Sequence, residues 1–280
     1  MIVCKSPAEL ARMHGACALV AAVLSRLERS VAPGVTTADL DEIAEKQIRA
    51  AGGTPAFKGY HGYPATVCIS VNDEVIHGIP SRNRVLADGD IVSMDVGAVF
   101  DGFVGDSAIT VPVGEVGPQA EALLRVTREA LYRAITRMQA GGRVSDIGHA
   151  VQQHVEKHGF SVVREFVGHG IGAAMHEEPQ VANYGPPGRG PRLAEGMVLA
   201  IEPMVNLGKA GVRVLEDGWT AVTKDGSLSA HFEHTVAVTS AGPWVMTARE
   251  DEGFAEVLAT LGLETPEELE SRWRKTTPSK

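Results

Sequence analysis

Cysteine is scarce in this 280-residue chain, with only Cys4, Cys17 and Cys68 present. Three thiols at irregular spacing build neither a disulfide framework nor a sulfur-based zinc site, and a reducing cytoplasm is the expected compartment. Positive charge is also in deficit: 26 Lys and Arg stand against 35 Asp and Glu, a net charge of -9. The field that a phosphate backbone or an anionic membrane attracts is missing, so neither nucleic acid nor membrane is expected as a partner. No apolar run approaches the roughly 18 residues of a membrane span. The stretch 16–24 imitates the core of a secretory signal, but Glu9, Arg26, Glu28 and Arg29 interrupt its flanks and Pro33 would follow the cut. Its neighbours Leu10, Met13, Cys17, Val20, Leu24, Leu27 and Val31 alternate in steps of three and four, the stripe of an amphipathic helix. Aromatics make up only 5%, yet 44% apolar and 22% charged residues suffice for a globular core and argue against disorder.

Helix and turn signals order the rest. Ser6-Pro7-Ala8-Glu9 reads as a capping box opening a helix that runs to about Ser30. A second helix is predicted from Thr36 or Thr37 to Gly52-Gly53. Residues 66–71 and 74–79 read as a hairpin turning at Asn72-Asp73, and 91–100 with 103–111 as another turning at Asp101-Gly102. Helices are then predicted over 121–138 and 145–157, followed by strands at 162–167, 198–205, 212–216, 220–223 and 231–239. The helix-helix-strand order occurs twice, and Pro33-Gly34-Val35-Thr36 parallels Gly141-Gly142-Arg143-Val144, so residues 1–250 read as one catalytic domain of two similar halves. The fold class is α+β. Residues 251–280 form a tail in which Thr265-Pro266-Glu267-Glu268 predicts a short helix to Lys275.

Acids within apolar strand candidates carry the chemical signal. Asp95, Glu202 and Glu233 each sit in one, with no lysine or arginine adjacent. An ionised carboxylate taken out of water needs a partner; the alternative is a solvated strand face. If Asp101-Gly102 is a two-residue turn, Asp106 stands opposite Gly97 and projects from the same face as Asp95, roughly 7–8 Å away. Both carboxylates can then converge on a cation. The same arithmetic at Asn72-Asp73 puts Cys68 across from His77.

These residues also carry a resemblance. Gly59-Tyr60-His61-Gly62-Tyr63-Pro64, His77-Gly78-Ile79-Pro80, Asp90 through Asp106, Gly168-His169-Gly170-Ile171-Gly172, His176-Glu177-Glu178-Pro179, Ile201-Glu202-Pro203 and Glu233-His234-Thr235, in this order and spacing, resemble the type I methionine aminopeptidases of the bacterial short form, dinuclear metallopeptidases with the pita-bread fold. The resemblance covers about residues 6–249 and implies a pseudo-two-fold antiparallel sheet with helices on its outer face. It implies five metal ligands, Asp95, Asp106, His169, Glu202 and Glu233, with Asp106 and Glu233 bridging two divalent ions; four carboxylates cancel their charge. Mn, Fe(II), Co or Zn suits such a donor set. His77 and His176 are implied to contact substrate and assist proton transfer, and Glu202 to take a proton from the attacking water.

The resemblance further implies a thioether-sized pocket from Tyr60, Tyr63, Cys68, Met175 and Trp219, although Cys68 and Met175 taken singly could simply pack the core. Met175 stands where the family commonly has phenylalanine, and Phe57 where a smaller residue is common, which bears on pocket shape but not on metal chemistry. His14, His61, His149, His154 and His158 receive no role. The implied activity is removal of the initiator methionine from nascent chains with a small second residue, by a monomer in the cytoplasm, with the ribosome as a possible meeting place. An Xaa-Pro peptidase on the same fold usually has a large amino-terminal domain, for which Asp95 comes too early. A non-catalytic module would have lost ligands, and no Gly-x-Ser-x-Gly turn supports a serine hydrolase.

Overall fold

The computed structural model describes residues 1–249 and 252. The first helix, α1 (Pro7–Glu28), starts at the predicted capping box, with the Ser6 side chain accepting from the Glu9 amide. It is long and apolar enough to cross a membrane. Here Leu10, Met13, Cys17, Val20, Leu24 and Leu27 along it are buried. Helix α2 (Thr37–Ala50) follows, then β1 (Thr54–Pro55), β2 (Val67–Val71) and β3 (Glu74–Ile76). Strands β4 (Ile91–Phe100) and β5 (Phe103–Pro112) form the long hairpin read from the sequence. Its register pairs Gly97 with Asp106 and Phe100 with Phe103, and Asp101 and Gly102 take the positive φ values of 49° and 76° that a tight two-residue turn requires.

The second half repeats the order with α3 (Pro118–Ile135), α4 (Val144–Lys157), β6 (Ser161–Val162), β7 (Gly168–Gly170), β8 (Glu177–Val181) and β9 (Val198–Ile201). It continues through β10 (Met204–Asn206), β11 (Val212–Val214), β12 (Ala221–Thr223), β13 (Ser229–His231), β14 (His234–Thr239) and β15 (Gly242–Val245). The two predicted parallel segments behave alike. Asp39 and Asp146 accept from the backbone amides of Thr36 and Arg143 at the starts of α2 and α4, and each cap also forms an isolated antiparallel bridge, to Val85 and Arg192.

Every described strand pair is antiparallel, in sheets ordered β1-β4-β2 with β5 on β4, β13-β10-β6, β11-β12-β3 and β15-β14-β9-β7-β8. Helix α1 packs against β4 and β5, and α3 against α4. A Cβ on Gly105 would meet the backbone of Ala16 and Cys17 in α1, so the face of β5 that turns toward α1 is the one opposite Asp106.

Four expectations are corrected. Strands β2 and β3 do not pair with each other: β2 pairs with β4, and β3 with β12. Cys68 therefore lies opposite Asp95 rather than His77; His77 has φ 60° and the chain returns with the Ile69 amide bonded to the Gly78 carbonyl. The strand expected over 162–167 stops at Val162, and Phe166 and Val167 instead line a cavity. The strands expected at 198–205 and 231–239 are each split, at Glu202-Pro203 and Phe232-Glu233. Proline has no amide to continue a ladder, and the chain between β13 and β14 passes from one sheet to another. Strands β8 and β15 carry no signal that the sequence made legible. The expected helix in the tail lies outside the described residues.

Candidate metal centre

Two kinds of backbone deliver acids to one place. Asp95 and Asp106 come from the continuous β4–β5 hairpin, whereas Glu202 and Glu233 come from the two breaks just described, not from strand interiors. The halves are joined directly: Glu233 N bonds to Ala108 O at 2.8 Å, Ser107 Oγ donates to Glu233 O, and the Thr235 hydroxyl donates to Asp106 O at 2.7 Å. These bonds put Glu233 beside Asp106. His169, in the middle of β7, completes the group, its Nε2 3.8 Å from Asp106 Oδ2 and 3.6 Å from Glu202 Oε1. Its Nδ1 meets the Gly170 carbonyl at 2.9 Å, an acceptor, which assigns the proton to Nδ1 and leaves the Nε2 lone pair facing the carboxylates.

Asp106 and Glu233 are 4% and 2% exposed. Burial raises Asp95 to about 7 and drives Asp106, Glu202 and Glu233 well above the usual carboxylate range, with mutual repulsion among the acids adding to the last three. Among the described residues no lysine or arginine pairs with any of them. Asp95 Oδ1, Asp106 Oδ1 and Glu233 Oε1 are buried with no hydrogen-bond partner. Ligand atoms of Asp106, His169 and Glu233 lie within 4.8 Å of one another. Buried oxygens that lack donors, carry charge in excess and stand next to a neutral imidazole are what a dication satisfies. The residues fit such an ion.

A cavity of about 290 Å³ opens onto this group, lined by Tyr60, Tyr63, Cys68, His77, His176 and Trp219 together with all five candidate ligands. Phe57, His61 and Phe166 line it too, His61 being a residue to which the sequence assigned nothing. Met175 stands a layer back. Its Cε and the Phe57 ring meet above Gly97, where a Cβ would lie 2.9 and 2.6 Å from them. Tyr63 packs edge-on to Trp219 and gives its hydroxyl to the Gly78 carbonyl. His77 is held edge-on by Phe166 and Trp219, and burial lowers it to about 4. His176 sits 4.3 Å ring to ring from His169 with its Nδ1 2.7 Å from the Tyr60 hydroxyl, and burial lowers it as well.

His231 escaped the sequence reading. It is 2% exposed, its Nε2 has no partner, and it lies 4.0 Å from Glu202 Oε2. The period-two spacing to Glu233 was the available signal. A second grouping, Glu129, His154 and His158, joins α3 to α4 through a 2.9 Å His154–Glu129 contact. Arg125 already pairs with Glu129, and Arg133 and Lys157 line the same cleft, so a cation there meets repulsion.

The fold and this arrangement are those of a metal-dependent hydrolase, and the comparisons agree. Residues 11–240 match the model of metallopeptidase family M24. The methionine aminopeptidase 1 of Bacillus subtilis is 51% identical over 247 residues, 88% of this chain and 99% of that protein. The methionine aminopeptidase of Escherichia coli is 45% identical over 256 residues, 91% of this chain and 97% of that one. A crystal structure of methionine aminopeptidase from Thermotoga maritima superposes with a TM-score of 0.88 at 47% identity, covering 89% of this chain and 100% of its own. The chain therefore belongs to metallopeptidase family M24 and, within it, to the methionine aminopeptidases. The pita-bread fold expected from the sequence is the fold observed; a prolidase from Pyrococcus furiosus shares it at 21% identity and a TM-score of 0.71, which speaks to fold alone.

Proposed function

We propose that this methionine aminopeptidase works with two divalent cations, which Asp95, Asp106, His169, Glu202 and Glu233 would hold. The observation that carries the reading is the set of three buried carboxylate oxygens with no partner. Four acids balance two dications, and oxygen donors with one imidazole suit Mn, Fe(II), Co or Zn. When bound, such ions supply Lewis acidity, polarising a carbonyl and making water acidic enough to ionise near neutral pH.

The chain's own groups do the rest. Glu202 accepts a proton from the attacking water and returns it to the departing amine as the peptide C–N bond breaks. Where His176 Nδ1 accepts from the Tyr60 hydroxyl 2.7 Å away, the ring proton sits on Nε2, and in that tautomer a neutral His176 offers a donor to the carbonyl oxygen. His77, neutral through burial, contributes from the same cavity. Tyr63, Cys68, Trp219 and Phe57 enclose the methionine side chain, with Met175 shaping the wall from behind. The substrates are nascent polypeptides beginning with methionine and a small residue, met in the cytoplasm or at the ribosome by a monomer whose residues 1–250 form one domain of two similar halves.

The test is a peptide panel. Met-Ala and Met-Gly peptides should be cleaved in Mn(II) or Co(II), Met-Leu poorly, and chelation should stop all turnover. Activity in fully metal-free protein, or cleavage of Xaa-Pro peptides without preference for methionine, would contradict the reading.

A further inference from the structure

His176 and Met175 lie on the connection from β7 to β8, outside regular structure. What fixes that connection comes from the beginning of the chain. The Lys5 side chain is 4% exposed, and its Nζ is 2.6 Å from Glu177 Oε2 and 3.2 Å from Val3 O. The other carboxylate oxygen, Glu177 Oε1, accepts from the Ala174 amide at 3.3 Å, so one carboxylate ties residues 174 and 177 together around His176. Lys5 is itself immobilised: its amide bonds to Gly196 O at 2.7 Å, and the next residue caps α1. Two glycines make room. A Cβ on Gly172 would lie 2.5 Å from both Lys5 Cε and Glu177 Oε1, and one on Gly196 would strike the Lys5 backbone. The connection thus closes over a buried ion pair whose cationic half is delivered by the segment just before α1.

We propose that Lys5 is a positioning residue for turnover, setting the place of His176 through the buried Lys5–Glu177 pair. The inference rests on the role given above to His176. A buried pair broken on one side leaves an uncompensated charge, so the connection shifts to let water reach Glu177, and His176 moves with it. A misplacement on the ångström scale costs up to about 100-fold in rate. Lys5 touches neither the cavity nor the candidate metal ligands, so the loss falls on kcat, not on metal content.

The test compares Lys5→Met, His176→Ala and the two combined, in full-length protein loaded with Mn(II). Lys5→Met should lower kcat on a Met-Ala peptide by about tenfold or more, with KM and bound metal within twofold of the parent. It should also speed hydrogen exchange at the Ala174 amide. In the His176→Ala background the same change should cost less than twofold, because its effect runs through that ring. Parent-like kcat in Lys5→Met, or an equal loss in both backgrounds, would overturn the proposal. His176→Ala turning over at the parent rate would instead remove the role of His176. Should Lys5→Met fail to fold, Lys5→Arg keeps the buried cation but forces a bulkier head against Glu177 and Gly172, displacing the same connection, and is read by the same criteria.

Discussion

The two halves present their acids in opposite ways. In the first, an unbroken hairpin of ten residues a side carries Asp95 and Asp106 from strand interiors. In the second, Glu202 and Glu233 occupy places where strands stop, after β9 and between β13 and β14. A strand interior fixes side-chain direction by alternation alone. A break frees its residue from the ladder and needs bracing from elsewhere. The bracing is visible at both breaks: Asn183 Nδ2 donates to Glu202 O at 3.0 Å, and the Glu233 amide is tied to Ala108. Just beyond, His234 is clamped by Tyr132, Thr247 and Glu252. One half supplies a rigid edge, and the other is fastened onto it.

Substitutions on either side of this contrast should separate chemistry from bracing. The largest effect is expected for Glu233→Gln, which removes one of the four carboxylates proposed to hold the metal. Turnover should fall by about 1,000-fold or more with loss of both metal equivalents by elemental analysis. Asp106→Asn should match it if the halves contribute equally, and unchanged metal content in either would break the ligand assignment.

Next comes the brace. Burial pushes Glu252 up, but His234 and Arg249 outweigh it and hold its carboxyl at about 2. A carboxylate depressed on folding contributes stability above its unfolded value near 4.5, and that stability is lost as pH falls through about 2. Glu252→Gln should therefore destabilise the protein at pH 7 by on the order of 3 kcal/mol in urea melts, with the difference vanishing toward pH 2. A difference that persists at low pH would mean that packing, not charge, holds the break.

His77→Ala, which touches the cavity but neither break, should lower kcat/KM by about 100-fold with metal content intact. Loss of metal would make His77 a ligand. The smallest effect belongs to the hairpin: Gly102→Ala, at φ 76°, should cost about 1 kcal/mol of stability and leave metal binding alone. Loss of metal on that change would mean that the hairpin depends on its turn for register.

The same contrast governs what the sequence made legible. Asp95, Gly97 and Asp106 could be placed by counting from a two-residue turn, because period-two geometry leaves no freedom once Asp101-Gly102 is assigned. Counting failed at Asn72-Asp73, where the turn exists but each strand leaves for another partner, a choice made by distant residues of β4 and β12. Glu202 and Glu233 were identified as ligand candidates by residue type and motif, yet their location at breaks depends on which sheet each flanking segment joins. The Lys5–Glu177 pair has no sequence signal for a related reason, and His231 has only its period-two spacing to Glu233. A lysine near the start of the chain means nothing until residues far along it close over the side chain.

The account stands or falls on dication binding by the five converging side chains. Titrating metal-free protein with Mn(II) and counting tightly bound equivalents addresses it most directly, with the Glu233→Gln protein measured beside it. Two equivalents in the parent and none retained in the variant are predicted. A parent that binds no metal tightly, or a variant that keeps the full complement, would contradict it.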